Sequence, residues 1–143
     1  MGTQPSNVRQ ATARGMVLLD VLGGAEEAFD VSFLERCDHP VTVCHGPAPG
    51  MVCPLVAEDL CEKYEQAHGI VFELDLDDPQ HRTIVETYRT KNPDIPIRVV
   101  VTDEQAQRYG RQLSGVETWS HLPSVADLDG FAAEVEAADR DAG

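Results

Sequence analysis

Lysine is almost missing from this chain: Lys63 and Lys91 are the only two in 143 residues, and all bases together number 11 against 25 acids. A formal charge of −14 leaves no basic surface of the kind that nucleic acid or an anionic membrane requires, so neither is an expected partner. No stretch approaches the ~20 uninterrupted apolar residues of a membrane-crossing helix. Residues 1–10 are polar and lack the apolar centre of a signal peptide, which makes a cytoplasmic location the expectation. A close Cys-x-x-Cys pair, a Gly-rich phosphate loop, an activated nucleophile with its general base, and internal repeats are all missing. An enzyme is therefore not expected.

What is present suffices for one domain, because 42% hydrophobic composition over this length can bury a real core. Residues 1–13 read as a flexible tail, 14–138 as the domain and 139–143 as a second tail. Between the tails, strand-like and helix-like patterns alternate five times, the signature of an α/β fold with a parallel sheet. An apolar run over 16–22 precedes Gly23-Gly24 and a helix with Ala25, Phe29, Phe33 and Cys37 on one face. A second strand over 41–44 leads to a loop over 45–54, stiffened by Gly46, Pro47, Pro49, Gly50 and Pro54, then to a helix with Val56, Leu60, Tyr64 and Ala67 inward. That helix is expected to end at His68-Gly69. The fourth strand, over 96–102, carries Arg98 in its middle with no evident reason. Thr102 and Gln105 then pattern as a capping box for a helix burying Ala106, Tyr109 and Leu113. A short fifth strand over 116–121 precedes a cap at Ser124 and Asp127 and a last helix burying Val125, Leu128, Phe131 and Val135.

The third unit is the most informative. In Phe72-Glu73-Leu74-Asp75-Leu76-Asp77-Asp78-Pro79 a buried strand over 70–74 delivers carboxylates to its carboxyl end, where open α/β sheets bind ligands. Asp78 reads as an N-cap and Pro79 as the first residue of a helix through Ile84, Val85 and Tyr88, with His81 on its flank. Asp77 and Asp78 as caps leave Asp75 to be explained.

Over about residues 15–138 the chain resembles a response-regulator receiver domain, on Asp20 at the end of strand one, Asp75 with Pro79 after strand three, Thr102 ending strand four, and Leu122-Pro123 after strand five. Asp75 to Thr102 spans 27 residues and Thr102 to Leu122 spans 20, both close to the family pattern, whereas Asp20 to Asp75, at 55, is longer by an insertion after strand two. The resemblance implies a flavodoxin-like three-layer α/β/α sandwich with strand order 2-1-3-4-5. It makes Asp75 the phospho-acceptor position, with Asp20, Asp77 and Thr102 around it in an acidic pocket that holds Mg²⁺ in the family. The family's strand-five lysine is here Leu122, and its strand-one acidic pair is reduced to Asp20. The resemblance is thus to a degenerate pseudo-receiver whose Asp75 does not take phosphate.

The inserted loop gathers Cys44, His45, Cys53 and Cys61, a donor set suited to zinc or an iron-sulfur cluster, with His39 as an alternative to His45. A Cys44–Cys53 disulfide or redox pair, or ordinary buried thiols, fit the same residues. Three functions compete. The first is a stand-alone receiver-like regulatory module, expected because the chain ends soon after its fifth helix. It would contact a protein partner, or a second copy as a homodimer, through the face of the fourth helix, fifth strand and fifth helix, where Tyr109, Trp119 and Phe131 lie. The second is metal-binding or thiol-redox chemistry at Cys44 to Cys61. The third, a small hydrolase using Asp20 and Asp75, rests on carboxylates alone.

Overall fold

A computed structural model describes residues 15–48 and 50–142; the expected N-terminal tail, Pro49 of the inserted loop and Gly143 lie outside the described residues. Five strands form one all-parallel sheet: β1 (Val17–Asp20), β2 (Val41–Cys44), β3 (Gly69–Phe72), β4 (Ile97–Val100) and β5 (Glu117–Trp119), in the order β2-β1-β3-β4-β5. The central register pairs Leu19 of β1 with Val43 on one side and Val71 on the other. The helices are α1 (Ala25–Arg36), α2 (Pro54–Glu58), α3 (Glu62–Glu65), α4 (Pro79–Lys91), α5 (Asp103–Arg108) and α6 (Val125–Ala142). This is the expected three-layer, flavodoxin-like arrangement.

Period-two alternation in the strands divides the interior into two apolar layers. Val17 and Leu19 of β1 and Val71 of β3 face α1 and α6 and pack on Leu34, Phe131 and Val135. Leu18, Ile70 and Phe72 face the other way, onto Leu55, Tyr64, Ile84, Val85 and Tyr88 from α2, α3 and α4. The caps fall where the sequence puts them. The Asp78 carboxylate accepts from Gln80 N, Thr102 and Gln105 form a reciprocal capping box, and Ser124 and Asp127 do the same before α6.

Several expected faces are different. The single helix after the inserted loop is two short ones, because Asp59 adopts the left-handed conformation (φ 56°) and stops α2; Leu60 is consequently 60% exposed. On α1 the inward residues are Asp30 and Leu34, and Phe29 is exposed. In α5 the buried side chain is Gln105 and Ala106 is exposed; in α6, Val125 is exposed. Helix α6 runs on to Ala142, through the segment expected as a tail. His68-Gly69 is the entry to β3 and no helix end: a Cβ at Gly69 would stand 2.5 Å from Val135 Cγ2, so glycine is there for closeness. Arg98 lies on the α6 side of β4, paired with Glu134 at 2.7 Å and stacked over Phe131 and Trp119, which accounts for a charge in mid-strand.

Candidate functional site

Beyond β3 the chain keeps its alternation for four more residues, with Leu74 and Leu76 buried and Asp75 and Asp77 exposed on the carboxyl rim of the sheet. Asp75 Oδ1 accepts from Asp77 N and from Gln105 Nε2, both at 2.9 Å. Gln105 is held for this by the capping box, its Oε1 accepting from Thr102 N and its own N donating to Thr102 Oγ1, each at 3.1 Å. Asp77 Oδ1 accepts from Tyr109 OH at 2.9 Å, with Arg108 at 3.6 Å. Arg82 donates to Leu76 O and stacks on the Tyr109 ring, while His81 Nδ1 donates to Asp75 O at 2.7 Å. The structure therefore brings Asp75, Asp77 and Thr102 into one network, in which α5 braces the β3–α4 loop. His81 is buried inside it and does not line a helix flank.

Asp20 is not part of that rim. It is 1% exposed, and Tyr88 OH donates to its Oδ2 at 2.7 Å, with a further hydrogen bond from the Cys44 thiol. Burial pushes its carboxyl up from 3.8 to about 7, against the lowering effect of Tyr88, Cys44 and Lys63. The expected acidic pocket thus loses its strand-one member to the interior, because a carboxyl at the end of a central strand lies beneath the α4 phenol. Among the described residues, no group of three or more His, Cys, Asp or Glu side chains is placed to hold a metal ion.

The thiol and imidazole set is also dispersed. His45 pairs with Glu27 of α1 at 2.7 Å, and Cys53 and Cys61 precede α2 and α3 respectively. Cys44 turns to Asp20, and His39 is buried with Nδ1 donating to Gly15 O at 2.8 Å. All four cysteines are free thiols. A shared zinc site on Cys44, His45, Cys53 and Cys61 is not assembled among the described residues, with His45 drawn to Glu27.

Sequence reasoning missed a pair of carboxyls on the opposite layer. Asp30 of α1 is 1% exposed and meets Glu73, just past β3. Among the described residues, no amide or hydroxyl donor reaches Asp30 Oδ2 or either Glu73 oxygen. A proton held between the two groups is then the donor: burial, Asp30 and Glu26 push Glu73 up to about 9, and burial also raises Asp30. The one signal in the sequence was Glu73 itself, the single polar residue in an otherwise apolar run.

Leu122 is 51% exposed, and the group that reaches Asp75 from α5 is the neutral amide of Gln105. No protein-family model and no curated protein matches this chain. The chemistry of the rim is that of a closed hydrogen-bond network, with the Asp20 carboxyl buried apart from it. On the face of α5, β5 and α6, Phe131 is core and Trp119 packs edge-on against it, so the exposed apolar side chains there are Leu122 and Val125.

Proposed function

We propose that this chain is a receiver-like regulatory module that works through protein contacts and does not take a phosphoryl group on Asp75. The observation that carries the reading is the hydrogen bond from Gln105 Nε2 to Asp75 Oδ1. It engages one of the two carboxylate oxygens with a neutral amide and brings no positive charge. Phosphoryl transfer requires neutralisation of charge that develops on the transferred group. Here Asp20 is buried beneath Tyr88, the strand-five position is Leu122, and the overall charge is −14. In place of a switch, the network fixes the β3–α4 loop against α5 and presents a set surface, with Leu122 and Val125 exposed at the start of α6 for a protein partner. Incubation with acetyl phosphate and Mg²⁺, followed by intact-mass measurement, tests this. The expected result is no adduct; a single phosphoryl adduct that is lost in Asp75→Asn would make the chain a working receiver.

A further inference from the structure

At the amino end of β4 and β5, opposite the carboxyl rim, the loops that enter the two strands and the flank of α6 surround a cavity of about 240 Å³. Its lining is part aliphatic, from Ile95 and Ile97, and part charged. Two of the charged groups are spent on each other, since Arg98 Nη1 and Glu134 Oε2 meet at 2.7 Å. Two others are open. Glu117 is the register partner of Arg98 on β5, yet its carboxylate stands 3.9 Å from Arg98 Nε, beyond hydrogen-bond distance, and is 72% exposed. Arg89, in the last turn of α4, is half-buried, and among the described residues no acid, carbonyl or ring partners its guanidinium. The guanidinium lies against Gly115, where a Cβ would stand 3.1 Å from Nη2, so glycine leaves it room at the cavity wall. Gly115 and Glu117 are separated by at most about 7 Å of chain, which sets the two open ends of opposite charge within reach of one small molecule.

The balance of charge selects the ligand. A bare anion would meet three carboxylates, Asp94, Glu117 and Glu134, against two guanidiniums, and a bare cation would meet the uncovered Arg89. A zwitterion satisfies both open ends. We propose that this cavity binds a free aliphatic α-amino acid, its carboxylate on the Arg89 guanidinium, its ammonium on Glu117 and its side chain toward Ile95 and Ile97. A guanidinium fork matches a carboxylate through two parallel N–H···O bonds, a geometry that an arginine already paired inside the protein could not offer. The volume lies below the ~300 Å³ at which sites for drug-sized ligands begin, and suits a molecule of the size of leucine. The site is at the opposite end of the sheet from the Asp75 network and stands independently of the function proposed for that network. It also has a reporter: Arg98, which holds Glu134 and neighbours Glu117, lies 6.0 Å from the ring of Trp119, the single tryptophan of the chain.

The probes are leucine and valine, titrated into the full chain by calorimetry. At least one should bind saturably with a Kd below about 1 mM, and Trp119 emission should change with the same midpoint. For leucine as the reference, 4-methylpentanoate, which lacks the ammonium, and leucinamide, which lacks the carboxylate, should each bind at least about tenfold more weakly, the loss expected for one charge-assisted pair. Arg89→Gln should weaken leucine by at least about tenfold and leave the urea midpoint unchanged, because its guanidinium has no partner in the free protein. Glu117→Gln should cost leucine a similar factor and 4-methylpentanoate nothing, which places the ammonium at Glu117. A Kd weaker than about 1 mM for both amino acids, leucine binding unaltered by Arg89→Gln, or 4-methylpentanoate binding as tightly as leucine would overturn the proposal.

Discussion

Replacing Asp20 with asparagine should make the protein more stable, and by an amount that depends on pH in a defined way. In the unfolded chain Asp20 ionises near its ordinary value of 3.8, whereas beneath Tyr88 it does so near 7. Below 3.8 both states hold the proton and the group's contribution to stability is fully present. Between the two values only the unfolded chain releases it, and stability falls by about 1.4 kcal/mol per pH unit. Above 7 both states are ionised and the loss is constant at about 4 kcal/mol. Because the side chain is 1% exposed, solvent screening reduces this little. Asparagine accepts the Tyr88 hydrogen bond and cannot ionise, so its effect is a fixed offset plus the removal of this slope. Urea denaturation of both chains from pH 4 to 9 isolates the group, since the general repulsion of a −14 chain is nearly common to both. The gain from Asp20→Asn should grow between pH 4 and 7 and then level off. Tyr88→Phe, which removes the strongest lowering contact, should carry the slope to higher pH. A difference between wild type and Asp20→Asn that is the same at pH 5 and pH 8 would refute the reasoning.

Glu73→Gln supplies an amide donor to Asp30 and removes a carboxyl raised from 4.5 to about 9, whose contribution in wild type is lost as pH rises through that interval. Its thermal midpoint should therefore exceed wild type more at pH 9 than at pH 5; parallel profiles would remove the shared proton. Gly69→Ala forces a Cβ against the fully buried Val135 and should cost about 1–3 kcal/mol in urea denaturation, part of it recovered when Val135→Ala is added. Thr102→Ala breaks the capping box and should cost about 1 kcal/mol, while amide exchange in the β3–α4 loop rises as Gln105 loses its support.

The five βα units were legible because alternation and caps are local signals, and Asp78-Pro79, Thr102 with Gln105, and Ser124 with Asp127 each set a helix start unaided; the strand order was implied by the resemblance to receiver domains and by no local pattern. The faces were less legible. Phe29, Leu60 and Val125 sit at helical spacing from buried neighbours yet face solvent, since a period gives the width of an apolar stripe and not its edges, and nothing in the pattern announces the left-handed Asp59. Within the site, Asp75, Asp77 and Thr102 could be placed together by position along the strands. The residue that joins them, Gln105, was read only as a cap. Asp20 was misjudged because its partner, Tyr88, is 68 residues away, and a strand-terminal aspartate looks solvated until a side chain closes over it. Arg98 and Glu73 announced themselves as charges in apolar runs, but Glu134 and Asp30 become their neighbours only through the packing of α6 and α1.

Protonated carboxyls in the interior also mean that the charge of the folded molecule differs from the charge written in its sequence. The figure of −14 counts every acid as ionised, whereas burial raises the proton affinity of both Glu73 and Asp20, to about 9 and about 7. Folding near neutral pH is thus a proton-uptake reaction, and a weakly buffered solution grows more alkaline as the protein folds. An acid-rich chain has in this way moved part of its negative charge out of existence: what repels at the surface is less than the sequence declares, and the balance is set by pH.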